Sequence, residues 1–146
     1  MVCTYDAASG KQVLTDIPLS GGVYGSERLY AEVEAETSTT STTPVTRVSL
    51  VTGAGLPAGT YRVEWYCERR YNRTNRDWEG QVTVDGSPIG EINVESKDST
   101  NWEDWAGHRE LALTAGVHTI LLQWNRESNP GAAFIRRARL SFFRVA

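Results

Sequence analysis

Twice in this chain a glycine turn opens straight into a strand that carries a tryptophan. Leu56-Pro57-Ala58-Gly59 leads into Tyr61 to Cys67, and Leu113-Thr114-Ala115-Gly116 leads into Thr119 to Trp124. In the first strand Tyr61, Val63, Trp65 and Cys67 alternate with Arg62, Glu64, Tyr66 and Glu68. A period of two sends the apolar set to one face of a sheet and the polar set to the other. In the second strand Ile120, Leu122 and Trp124 alternate with Thr119, Leu121 and Gln123. A protein assembled from two such halves is what a jelly roll looks like.

The remaining segments keep the same period. Val45 to Thr52 reads as a strand, and Gln81 to Val84 and Ile89 to Val94 flank Asp85-Gly86, a pair favoured in two-residue hairpin turns. Leu29 to Glu36, LYAEVEAE, fits a half-solvated strand, with helix as the competing reading because Ala and Glu are good helix formers. Lys11 to Ile17 reads as a first strand ended by Pro18. A final strand over residues 134–145 turns Leu140 and Phe142 to the core and Arg139, Ser141 and Phe143 outward. Leu111 and Leu113 alternate with polar residues up to Ala115-Gly116, so Leu111 to Trp124 is expected to be a β-hairpin. Eight or so strands separated by turn signals predict an all-β fold, an antiparallel jelly-roll β-sandwich in a single domain over residues 1–146. Residues 1–28 are read as an N-terminal arm with the first strand. TSTTSTT, residues 37–43, is read as an exposed loop.

A chain of 146 residues is long enough to bury a core without metals or disulfides. Its net charge of −3 argues against nucleic acid as a partner. No apolar run is long enough to span a bilayer, so no membrane partner is expected. The opening MVCTYDAASGKQ has neither a basic n-region nor an apolar h-region. No signal peptide is therefore expected, which places the protein in the cytoplasm or in a particle assembled there. A disulfide between Cys3 and Cys67 is open to the chain but unforced, and two buried thiols are the expected state. No G-x-S-x-G, H-E-x-x-H, P-loop or C-x-x-C pattern is present, so neither catalysis nor a cofactor or metal is expected. His108 and His118 read as surface or turn residues. Asp77, Glu79, Glu103 and Asp104 read as solvated acids rather than a glycosidase pair.

Two stretches carry binding chemistry. In NWEDWAGHRE, residues 101–110, Trp102 and Trp105 stand in a polar loop with Glu103, Asp104 and His108. An indole so placed is either a plug folded over the core or a platform held out for a sugar ring or a protein partner. In ERRYNRTNRDWEG, residues 68–80, Arg69, Arg70, Arg73 and Arg76 alternate with Tyr71 and Trp78 in what reads as a long loop. Guanidinium groups fork onto carboxylates and stack on rings, and Arg, Tyr and Trp are enriched at interface hot spots. Tyr71, Arg73, Trp78, Trp102 and Trp105 are therefore the candidate partner-binding residues.

The order LPAGTYRVEWYCE, VTVDG, NWEDWAGHRELALTAGVHTILLQW and AAFIRRARLSF resembles the β-sandwich carbohydrate-binding modules of the family 6 and family 35 type. The resemblance covers roughly residues 45 to 145 and implies a non-catalytic jelly roll. It also implies a sugar clamped between a tyrosine of an early glycine-rich loop, here Tyr24 of Gly21-Gly22-Val23-Tyr24-Gly25, and Trp102 or Trp105. The family's asparagine before the last strand is absent, since Ala132, Ala133 and Phe134 occupy its place.

The expected function is that of a non-catalytic structural or interaction protein, associated with a phage virion as a capsid decoration or tail module. Its partners would be other protein subunits, with a homo-oligomer or larger assembly as the form. The alternative is a glycan-binding module that stacks sugars on loop aromatics.

Overall fold

The computed structural model describes residues 2–6, 11–15 and 28–146, the first two segments by their backbone alone. Val2–Asp6 (β1) and Lys11–Thr15 (β2) pair antiparallel. Tyr24 and its glycine-rich loop lie outside the described residues, as does the side chain of Cys3. The body follows as Arg28–Val33 (β3), Thr37–Thr39 (β4), Val45–Val51 (β5), Gly59–Tyr71 (β6), Asp77–Val84 (β7), Ser87–Glu95 (β8), Glu103–Leu113 (β9), Thr119–Arg126 (β10) and Ala133–Arg144 (β11). There is no helix among the described residues.

One sheet runs β3-β11-β6-β9, with β4 pairing the start of β11; the other runs β5-β10-β7-β8. Counting the eight long strands from β3 without β4, the first, eighth, third and sixth make one sheet and the second, seventh, fourth and fifth the other. That winding is a jelly roll. The alternation in the sequence places its core: Tyr61, Val63 and Cys67 of β6, Ile120 and Leu122 of β10, and Leu140 and Phe142 of β11 are all fully buried. Leu29, Ala31 and Val33 pack on that core from β3, so LYAEVEAE begins as a strand and not a helix. Asp85 and Gly86 both take positive φ, 52° and 81°, the geometry of the two-residue turn expected of that pair. Cys67 is a free thiol whose burial pushes its pKa up to about 12, which leaves it inert at neutral pH.

Three indoles meet in the core. Trp105 packs between Trp65, at 5.9 Å, and Trp78, at 5.8 Å, both tilted toward edge-to-face geometry. Glycines make the room. A Cβ at Gly80 would lie 2.3 Å from the Trp78 ring, and at Gly90 or Gly107 it would lie 2.4 Å from Trp65.

Four sequence expectations are corrected. TSTTSTT is not an exposed loop throughout, because Thr37–Thr39 is drawn into the sheet by pairing with the start of β11. Leu111 to Trp124 is not a hairpin: β9 pairs with β6 and β10 with β5 and β7, so residues 114–118 cross from one sheet to the other. Alternation tells which side chains go inward but not which strand sits alongside, and an arch and a hairpin share it. The crossing is anchored by its own repeat partner, because the Gly116 amide donates to the Leu56 carbonyl at 3.0 Å. ERRYNRTNRDWEG is not one long loop either, since β6 continues to Tyr71 and β7 begins at Asp77. The charges stay in the strand because neighbouring strands carry their opposites: Arg69 meets its cross-strand partner Glu103 at 2.9 Å, and both are largely buried. Lastly, NWEDWAGHRE is strand from Glu103 onward rather than loop.

Candidate functional site

The structure separates the sequence-predicted residues. Tyr71, Trp78 and Trp105 are buried. The Tyr71 hydroxyl donates to the Ser128 carbonyl at 2.8 Å, tying the β10–β11 loop to the core, and the Trp78 indole N–H donates to the Phe134 carbonyl at 2.9 Å, tying β7 to β11. Arg73 is exposed and lines a cleft of about 440 Å³ with Asn72, Thr74, Asn75 and Ser99 at one end of the sandwich. Trp102 is half-buried at that same end. The Arg136 guanidinium lies 4.1 Å from its ring centroid and that of Arg70 5.2 Å, while Arg70 also lies 4.1 Å from the Phe134 ring. The indole that sequence reading offered as a platform is thus engaged by two cations.

The arginines belong to a mosaic on the outer face of the β3-β11-β6-β9 sheet. A bulge in β11 organises it: Arg136 pairs with Glu68 and Arg139 with Tyr66, so one extra residue is inserted between them, with Arg137 at φ 48°. Consecutive residues of a regular strand face opposite ways, but the bulge puts Arg136 and Arg137 on the same face. Both donate to the carboxylate of Glu68, whose side chain is only 9% exposed. Burial pushes Glu68 up, yet the hydrogen bonds and charges of the two arginines outweigh it and hold the carboxyl below the usual range. Arg139 reaches Glu34 at 3.1 Å and Arg62 bonds Glu110 across to β9.

The outer face of β10-β7-β8 is built differently. Glu79, Gln81, Asn125 and Gln123 project from the two inner strands, and Glu91 and Asn93 from the edge strand β8. Gln81 donates to Gln123 at 2.8 Å, Gln123 to the Thr46 hydroxyl at 3.2 Å, and Asn93 to Glu79 at 3.1 Å; Asn125 donates to the other oxygen of Glu79. Beside these lies an open trough of about 430 Å³, walled at one side by Thr42 and Pro44. Among the described residues its lining holds carboxylates and amides and no cation. Each fixed amide has spent donors on a neighbour, which leaves the trough richer in acceptors than in donors.

No family model matches the chain, and no curated protein matches it. Solved structures do. A stretch of latent PorU from Porphyromonas gingivalis is similar at 10% identity with a TM-score of 0.55, over 85% of this chain and 14% of that one. The chain therefore corresponds to a small part of PorU. The C-terminal domain of EclA, a sugar-binding protein, gives a TM-score of 0.44 at 12% identity over 94% of this chain and 88% of that domain. A family 35 carbohydrate-binding module from Clostridium thermocellum gives 0.42 at 11% identity, over 77% and 96% of the two chains. At such identities the PorU match speaks to the fold alone, and the two looser likenesses carry nothing further.

Sequence reading missed the trough. Its residues are scattered over β7, β8 and β10, and only the cross-strand register brings them together. The signal lay in Asn and Gln at outward positions of strands, where such residues are ordinarily depleted or left to solvent. Among the described residues no group of three or more His, Cys, Asp or Glu is placed to hold a metal ion.

Proposed function

We propose that this chain is a non-catalytic carbohydrate-binding module that takes a neutral glycan along the trough on the outer face of β10-β7-β8. The observation that carries this reading is the donor–acceptor balance of the trough: among the described residues Glu79, Gln81, Glu91, Asn93 and Asn125 line it, and no Lys or Arg does. A ligand that suits such a lining brings many hydrogen-bond donors and no negative charge, which describes a chain of sugar hydroxyls. Fixing matters as much as chemistry. Glu79 is held by two amides and Gln81 by Gln123, so the lining loses little side-chain freedom when a ligand arrives. The order of motifs that resembles the family 6 and 35 modules points the same way.

The expected place in a phage virion, as an oligomeric decoration or tail module, has no support in the fold or in the likenesses, and sugar binding takes precedence over it. Native gels cast with neutral or with sulfated and uronic polysaccharides test the proposal. The protein is expected to be retarded by a neutral polysaccharide, with retardation insensitive to salt. Retardation only by the anionic polymers, lost on adding salt, would sink it.

A further inference from the structure

Among the described residues, the Phe, Trp or Tyr side chain that the fold leaves most open is Tyr30, 52% exposed, on the edge strand β3. Across the sheet its partner on β11 is Ser141, whose own partner on β6 is Glu64. The next row reads Glu32, Arg139, Tyr66. A small serine flanked by these long side chains leaves a hollow of about 250 Å³, lined by Tyr30, Glu64, Tyr66, Arg139 and Ser141.

Three properties make it a site rather than a gap. The rings are held in place, since the Tyr30 hydroxyl bonds Glu32 and that of Tyr66 donates to Asp104 at 3.0 Å. The Arg139 Nε–H is buried without a hydrogen-bond acceptor, the Glu32 carboxylate standing off at 3.7 Å, while one terminal nitrogen donates to Glu34 at 3.1 Å. The only cation paired with the Glu64 carboxylate among the described residues is Arg62, at 3.8 Å, so the carboxylate keeps its acceptor capacity. Tyr30 and Tyr66 rise from strands two spacings apart, about 10 Å, which admits one six-membered ring between them and excludes a chain lying flat.

We infer that this hollow is a second saccharide site, distinct from the trough and on the opposite face of the sandwich, which takes a single terminal pyranose. One C–H face of the ring stacks on Tyr30, a ring or hydroxyl oxygen accepts from Arg139 Nε, and hydroxyls donate to Glu64 and to Ser141 Oγ. The site rests on the glycan-binding reading but shares no residue with the trough. The two together make the module bivalent, able to hold a chain end on one face and the run of another chain on the other.

Backbone amide NMR of the intact chain, titrated first with a panel of neutral methyl pyranosides and then with oligosaccharides of the same sugars, tests it. At least one methyl glycoside is expected to shift amides around Tyr30, Glu64 and Ser141 and to leave those around Gln81 and Asn93 in place. Tyr30→Ala should weaken that binding about tenfold, and Ser141→Leu, which fills the hollow, should remove it, with oligosaccharide shifts at the trough retained in both. Shifts at the trough alone overturn the second site and leave the proposed function standing. Shifts nowhere overturn both, and hollow shifts that survive both substitutions overturn the site as drawn.

Discussion

Glu68 and Glu79 are both carboxylates held by two side-chain donors, one on each outer face, and they do different work. Glu68 is sunk beneath Arg136 and Arg137, its lone pairs consumed by charged donors brought together by the β11 bulge. Glu79 is held by the amides of Asn93 and Asn125 and borders an open trough. A charged clamp neutralises and closes a carboxylate, whereas an amide clamp orients it and leaves it able to accept again. The same contrast extends over each face. Apart from Asp85–His118 at one margin, every ion pair among the described residues involves the β3-β11-β6-β9 sheet or the segments beside it.

The largest expected effect lies at the charged clamp. Glu68→Gln leaves two guanidinium groups against a neutral amide and is expected to cost about 2 kcal/mol at neutral pH, measured by urea unfolding. Because the folded pKa of Glu68 is lowered, its contribution is complete above the ordinary carboxylate range and fades as pH falls through the folded value. The gap between wild type and variant should close in acid. A gap that persists there would mean the clamp is not ionic.

His118 sets the next largest effect, at the margin of the amide face. Its Nδ1 lies 2.6 Å from Asp85 and its Nε2 2.9 Å from the Thr114 carbonyl, so both ring nitrogens face acceptors. Only the imidazolium donates at both, and the hydrogen bond to Asp85, with that to Thr114, raises the His118 pKa. A raised folded pKa means stability complete below the ordinary imidazole value, about 6.5, and lost as pH rises through the folded one. His118→Asn should cost about 1 kcal/mol in mild acid and less above neutrality. A variant whose deficit grows with pH would reverse the assignment.

A smaller change, of opposite sign, is expected at Asp77. Burial, then the charges of Glu127, Glu95 and Glu79, raise its pKa, so its ionised form weakens the fold above that value. Asp77→Asn should raise Tm by roughly 1–2 °C at pH 7 and leave it unchanged near pH 3. No gain at pH 7 would place the acidic side chains farther apart in solution.

The fold was legible because it rests on period two and on turn chemistry. Tyr61 to Cys67, Asp85-Gly86 and the Leu140–Phe142 register all lie where alternation places them. The sheet in which each strand sits was not legible, since pairing partners are set by long-range packing that alternation does not encode. Trp102 and Trp105 illustrate the limit. Three residues apart in extended chain they face opposite ways, so one fills the core and the other lies under arginines, although the motif presents them as a pair. The candidate sites stayed hidden for a related reason: Tyr30 and Tyr66 were placed outward by the pattern, but only register sets Ser141 between them.

Retention of a neutral oligosaccharide by three proteins, compared by isothermal titration, bears on the amide face against the tryptophan loop. Wild type and Trp102→Ala are expected to bind within about twofold of each other, while a Gln81→Ala/Asn93→Ala double variant of unchanged Tm should lose about tenfold or more. Full binding by the double variant with binding lost in Trp102→Ala would return the site to the loop and contradict the trough.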